Sequence, residues 1–202
     1  MSQAAPEFEV AEEDLLRADL YDFLAALFAN PPGKAVLAQA AALGGDESAL
    51  GQAIGTLARV AQATNEKAVE REFNALFIGL GRGELMPFAS YYLTGFLNEK
   101  PLATLRADMG ALRISRAPNV YEPEDNIASL LEMMAGMIRG RFGAPVPLTR
   151  QKDFYFTHIA PWAEHFFTDL EAAQNSVFYA PVGTVGKAFL DIETQAFRMG
   201  AE

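Results

Sequence analysis

Residues 121–134 read Tyr121-Glu122-Pro123-Glu124-Asp125-Asn126-Ile127-Ala128-Ser129-Leu130-Leu131-Glu132-Met133-Met134, an acidic helix start set directly beside an apolar helical face. Pro123 has a fixed φ and no amide hydrogen to lose. The pattern therefore predicts a helix over 123–139, with Pro123 in its first turn and Glu124 and Asp125 where the macrodipole favours negative charge. Ile127, Leu130, Leu131, Met134 and Ile138 recur at the three-and-four spacing of one face, while Glu132 and Arg139 lie off its centre. Such a face needs an apolar partner, and the acids beside it suit a ligand that is part basic and part apolar.

The same period recurs on both sides. Leu15, Leu16, Leu20, Phe23, Leu24, Leu27 and Phe28 form a helical stripe that ends before Asn30-Pro31-Pro32-Gly33. Residues 34–62 read as two modest helices broken at Gly44-Gly45, with Asp46 as the cap of the second. A clearer helix spans 66–78, with Val69, Phe73, Leu76 and Phe77 on one face, and the Gly79-Leu-Gly-Arg-Gly83 loop ends it. Short helices are expected over 88–97 and 102–112. Beyond the loop Gly140–Pro147, further helices are expected near 149–159, 161–173 and 181–198. No alternating or β-branched runs suffice to build a sheet. The expected fold is all-α, a compact single-domain bundle of about eight to ten helices over 12–200, preceded by a flexible leader over 1–11.

Composition excludes several classes of function. The chain has 202 residues, half of them apolar, enough for one sizeable core. Its 26 acidic and 16 basic side chains give a formal charge of −10, which repels phosphate backbones, and no local basic patch offsets it. Nucleic acid is not an expected partner. The absence of Cys removes disulfides, thiolate metal sites and thiol nucleophiles. The N-terminal stretch lacks a secretory pattern and no segment approaches 18 uninterrupted apolar residues, so neither export nor a membrane span is expected and the location is taken as cytoplasmic.

Two motifs invite chemistry and fall short of it. His158 and His165 are interrupted by Pro161 and belong to no zinc-ligand pattern. His158 and Trp162 instead suit a helix junction, where amphipathic rings pack and keep a polar partner. Gly79-x-Gly-x-Gly83 follows a helix, not a strand, and lacks the Gly-Lys-Ser/Thr ending of a nucleotide loop. No cofactor, metal or enzymatic activity is expected.

Residues 121–134 also resemble the hallmark of the TorD/DmsD family of redox-enzyme maturation chaperones, which reads Glu-Pro-Glu-Asp-His ahead of an apolar helix with an internal Glu and Met. Glu122 to Asp125 agree, and Asn126 stands where the family has His. Glu72-Phe73-Asn74-Ala75-Leu76-Phe77-Ile78-Gly79 is similar to the family's Glu-Tyr-x-x-Leu-Phe-x-Gly element. Pro87-Phe88-Ala89-Ser90-Tyr91-Tyr92 is similar to its Pro-Tyr-Glu-Ser-x-Tyr element, and His158 to Trp162 to its His-Leu-x-x-Trp. The resemblance implies a cytoplasmic helical chaperone that binds the twin-arginine leader or body of a molybdopterin oxidoreductase catalytic subunit, with formate dehydrogenase as the favoured client, until its cofactor is loaded. By position it implicates Leu76, Phe77, Pro123 and Asp125 in leader recognition, places Asn126 at the site of the His, and matches Tyr21 less closely.

In physical terms the leader brings an Arg pair and a short apolar stretch. Asp125 and Glu124 are the first candidates for a bidentate guanidinium contact, followed by Glu72 and Glu84. Leu76, Phe77, Phe88, Tyr91 and Tyr92 are the candidates for an apolar groove. Asn126 removes the one side chain there that would titrate near neutral pH. The bland readings are that the acids serve only dipole and capping, that Leu76 and Phe77 are core, and that Pro123 is structural. An all-helical adaptor without a maturation role is the alternative function, and the apolar faces close equally well within one chain or in a homodimer.

Overall fold

In the computed structural model, which describes residues 9–118 and 120–200, Asn126 starts the helix that carries the decisive apolar face. Ten α-helices are present among the described residues. They are α1 (Glu12–Ala29), α2 (Lys34–Ala41), α3 (Ala49–Ala63), α4 (Glu66–Phe73), α5 (Ala89–Thr94), α6 (Lys100–Ala111), α7 (Ile127–Arg139), α8 (Leu148–Phe154), α9 (Ala163–Ala172) and α10 (Tyr179–Met199). Two π-turns, Asn74–Ile78 and Tyr155–Ile159, extend α4 and α8. The fold is all-α, as its periodicity predicts. The proposed leader falls mostly on residues 1–8, outside the described residues.

Two predicted helix starts are corrected. The segment 123–126 is a turn and not the first turn of a helix, because the Asn126 side chain accepts the Ala128 N–H at 2.9 Å and so caps α7 itself. Glu124 and Asp125 therefore precede the helix. The second is α3, which is capped by Ser48, whose hydroxyl accepts the Gly51 N–H at 3.0 Å, while Asp46 instead accepts from the Ser48 N–H and hydroxyl.

The central packing joins α1 to α7. Tyr21, Leu24, Leu27 and Phe28 are buried on α1, and Leu130, Leu131, Met134 and Ile138 on α7, so the face that seeks a partner finds it at the N-terminal end of the chain. At their solvent edge Arg139 bonds Asp19 and Asp22, and Arg141 bonds Asp22 at 2.5 Å. α10 packs on α9 and α3, and α2 on α3. One apolar cluster connects all of these, with the aromatic rings of Phe28, Phe73, Phe77, Phe166 and Tyr179 meeting edge-on or tilted at its heart. The Trp162 indole N–H donates to the His158 carbonyl at 2.8 Å, the expected helix-junction role. The glycine loop has a purely conformational reason. Gly79 has φ +62°, and a Cβ there would lie 1.8 Å from the Arg82 carbonyl oxygen.

Glu72 holds the last helix in place. Its carboxylate accepts the backbone N–H groups of Val177, Phe178 and Tyr179 at 2.8, 3.0 and 2.8 Å, satisfying donors that the first turn of α10 leaves free. Glu72→Ala is expected to lower unfolding stability by about 1–2 kcal/mol, read as a fall in the urea midpoint at unchanged slope, and Glu72→Gln to lose less.

Candidate functional site

Two segments far apart in sequence are stitched together by their backbones. The Ala89 N–H donates to the Asp125 carbonyl and the Ile127 N–H to the Pro87 carbonyl, both at 2.9 Å, around an antiparallel bridge between Phe88 and Asn126. The Asp125 side chain extends this seam: its Oδ2 accepts the Ser90 N–H at 2.8 Å, closing the exposed donors at the start of α5. Asp125 is only 1% exposed, and its other oxygen, Oδ1, has no hydrogen-bond partner. A buried acceptor without a donor costs about 1–3 kcal/mol.

Asp125 lines a cavity of about 280 Å³ enclosed by α5, α6, the start of α7 and the second π-turn. Its walls are largely apolar: Leu93 from α5, Pro101 and Leu105 from α6, Leu130 from α7 and the flanks of Thr104 and Thr157. Lys100 and His158 stand at this cavity too, beside the hydroxyl-bearing Thr94, Thr104 and Thr157. The His158 Nε2 lies 2.7 Å from Asp108 Oδ2, and since a carboxylate only accepts, Nε2 is the donor. Burial pulls the His158 imidazole below its ordinary value against the opposing pull of Asp108, so it is neutral at pH 7.

The other sequence candidates are placed as follows. Glu124 does not add to an open acidic patch: it accepts from Arg106 at 2.9 and 3.0 Å and from Arg116 at 3.0 Å. Burial raises the Glu124 carboxyl, but these two guanidiniums outweigh it and hold it below the usual range. Pro123 is half-buried in the same turn, and Asn126 is occupied as the cap of α7. Glu72 caps α10, and Glu84 accepts the backbone N–H groups of Gln174 and Asn175 at 2.6 and 3.1 Å, so both acids are committed within the fold. Leu76 is fully buried and Phe77 half-buried against Phe28, Phe73 and Tyr179. Tyr21 is buried and donates to Glu193 at 2.9 Å, beside the Arg17–Glu193 ion pair. Tyr92 packs at a tilt against Trp162 and donates to Asp169 at 3.0 Å, Tyr91 carries the Arg82 guanidinium over its ring, and Phe88 belongs to the seam.

Asp125 thus lines a hollow built with residues that the expected groove did not include: Leu93, Lys100, Thr104, Leu105 and His158. One signal for them was present. Pro101 is a first-turn proline, which moves the start of α6 back to Lys100 and puts Lys100 and Thr104, and Pro101 and Leu105, one turn apart on the same side.

A family model described as "Nitrate reductase delta subunit" matches residues 44–168, a span that contains the seam, the cavity and the His158 junction. The chain belongs to this family, the TorD/DmsD family of redox-enzyme maturation chaperones. The "Chaperone protein TorD" of Vibrio cholerae serotype O1 strain ATCC 39315 / El Tor Inaba N16961 is 31% identical over 102 residues, which is 47% of this chain and 46% of that protein. Its counterpart in strain ATCC 39541 / Classical Ogawa 395 / O395 is 30% identical over the same length. The match thus spans about half the length of these TorD/DmsD relatives. A crystal structure described as a redox enzyme maturation protein from Archaeoglobus fulgidus aligns with TM-score 0.55 and 19% identity, covering 94% of this chain and 99% of that one, which establishes the shared fold.

The environment of His158 makes stability depend on pH. Its folded-state pKa lies below the unfolded value, so the unfolded chain binds the proton first. That contribution is fully present above about pH 6.5 and declines as pH falls from there toward the folded value. Chemical denaturation at pH 7.5 and at pH 5.5 is expected to show a loss on acidification that shrinks in His158→Gln.

Proposed function

We propose that this protein is a maturation chaperone for a molybdopterin oxidoreductase. It holds the apo catalytic subunit through a basic, apolar segment, such as a twin-arginine leader, until cofactor loading is complete. The observation that carries this reading is Asp125, which lines a largely apolar cavity and whose buried Oδ1 has no donor. A long cationic side chain fits both halves of that environment. Its methylenes lie along Leu93, Leu105 and Leu130, and its charged end supplies the missing hydrogen bond. Charge-assisted bonds of this kind contribute about 1.5–3 kcal/mol.

The geometry also revises how an arginine is held. Because Oδ2 already accepts from Ser90, the contact is made to one free oxygen and not through a bidentate fork. Lys100 at the same cavity disfavours a second cation, so one arginine of the pair enters and its neighbour stays outside. The polar groups at the cavity are the Asp125 carboxylate, the Lys100 ammonium, the hydroxyls of Thr94, Thr104 and Thr157 and an imidazole already bonded to Asp108. Among the described residues none of these hydroxyls is hydrogen-bonded to the carboxylate or the imidazole, a set that favours binding over turnover. The setting is the cytoplasm, before assembly or export of the client, and a formate dehydrogenase of the same cell is the client to test first.

Asp125→Ala is a poor test because it also strips the Ser90 N–H of its acceptor. Asp125→Asn keeps an oxygen for Ser90 while removing the charge. Calorimetry with a client leader peptide is expected to show affinity about tenfold weaker or more for Asp125→Asn, with the thermal midpoint little changed. An adaptor without a maturation role would show equal affinity for both proteins and no preference for the Arg-pair leader over one with the pair replaced by Gln, and that result would overturn the reading.

A further inference from the structure

We propose that the trough between the end of α6 and the loop ahead of α8 is a second docking site, for an acidic, apolar segment of a partner protein held by Arg113 and Arg150. The trough is a shallow, open depression of about 560 Å³ lined by Leu112, Arg113, Phe142, Pro145, Pro147 and Arg150. It shares no lining residue with the Asp125 cavity, and the proposal stands apart from the function assigned to that cavity.

Two observations at Arg113 and Arg150 carry it. In this acidic chain the guanidiniums of Arg17, Arg106, Arg116, Arg139 and Arg141 each meet carboxylates. Among the described residues the side chains of Arg113 and Arg150, like that of Arg198 elsewhere, have neither an ion-pair nor a hydrogen-bond partner, and these two share one trough. Asp108 and Asp153 share the neighbouring hollow with Arg150, but Asp108 is committed to His158 and Asp153 makes no salt bridge.

The second observation is conformational. α6 ends in a Schellman turn, with the Ile114 N–H on the Met109 carbonyl at 2.8 Å and the Arg113 N–H on the Gly110 carbonyl at 3.2 Å. The position that this turn reserves for glycine holds Arg113, at φ +59°. A side chain there costs about 1 kcal/mol relative to glycine. The fold thus carries an unfavourable residue whose guanidinium bonds nothing within the chain.

The lining decides the class of ligand. Phe142, Pro145 and Val146 offer an apolar floor, and Pro145 and Pro147 have no N–H to give. A phosphate would leave oxygens without donors on such a floor, whereas a carboxylate is satisfied by one guanidinium fork. Two carboxylates spaced around an apolar side chain meet both arginines and the floor together.

The R113G variant separates binding from folding. The probe is a synthetic peptide with two glutamates flanking a Phe-Pro pair, titrated while amide NMR shifts of the full chain are followed, with its glutamine counterpart as control. Shifts are expected to concentrate at residues 111–113 and 142–150, and to be lost with the glutamine peptide. R113G is expected to bind at least fivefold more weakly while its thermal midpoint stays level or rises, R150Q to weaken likewise, and D125N to bind as the parent does. Equal affinity in R113G and R150Q, shifts mapping elsewhere, no binding at millimolar peptide, or shifts at these residues with inorganic phosphate but not with the peptide would each overturn the proposal.

Discussion

The divided carboxylate of Asp125 is the constraint on which the functional half of the structure turns. One oxygen completes the start of α5 by accepting the Ser90 N–H, and the backbone of the same residue accepts the Ala89 N–H. The seam so formed fixes α5 against the entry to α7 and leaves the second oxygen buried beside an apolar hollow. A group needed for the fold is seldom free to move, which is why the open oxygen is held at a defined place. The cost of leaving it unpaired, about 1–3 kcal/mol, is returned when a donor arrives, so the folded state itself favours occupancy by a cation.

How the chain distributes its charge explains why that site is not a broad acidic face. The excess of acids reads in the sequence as an attractive surface for basic ligands, yet most of the acids near the seam are spent internally. Glu124 is neutralised by Arg106 and Arg116, Glu72 and Glu84 satisfy backbone donors at the start of α10 and the loop before it, and Glu193 is buried against Arg17 and Tyr21. What remains at the Asp125 cavity is one carboxylate oxygen without a donor among largely apolar walls. The unpaired arginines on the opposite end of α6 present the converse situation, cations without internal partners around an apolar floor.

Much of the fold was legible because helical periodicity reports burial. Ile127, Leu130, Leu131, Met134 and Ile138 are all buried, and α1, with Tyr21, Leu24, Leu27 and Phe28 buried, is the helix that α7 packs against. Element edges were less legible, since they depend on which polar side chain wins a local competition. Asn126 takes the cap of α7 that Pro123 promised to start, and Ser48 takes that of α3 ahead of Asp46. The cavity was legible only in part. Asp125 stands out in the sequence, but the side chains around its free oxygen come from α5, α6 and the second π-turn, and only the long-range pairing of residues 87–90 with 125–127 brings them together. Leu76 and Phe77 mislead for the same reason, because a helical stripe cannot say whether its outermost rings face solvent or the aromatic centre of the core.

The central claim is that a cationic side chain of the client completes Asp125. A crystal structure of the protein bound to the leader of its co-purifying oxidoreductase tests this most directly. The account predicts an arginine threaded past Leu105 and Leu130 with a guanidinium N–H within about 3 Å of Asp125 Oδ1, while Oδ2 keeps the Ser90 N–H. A leader seated elsewhere, with that oxygen still lacking a donor, would contradict it.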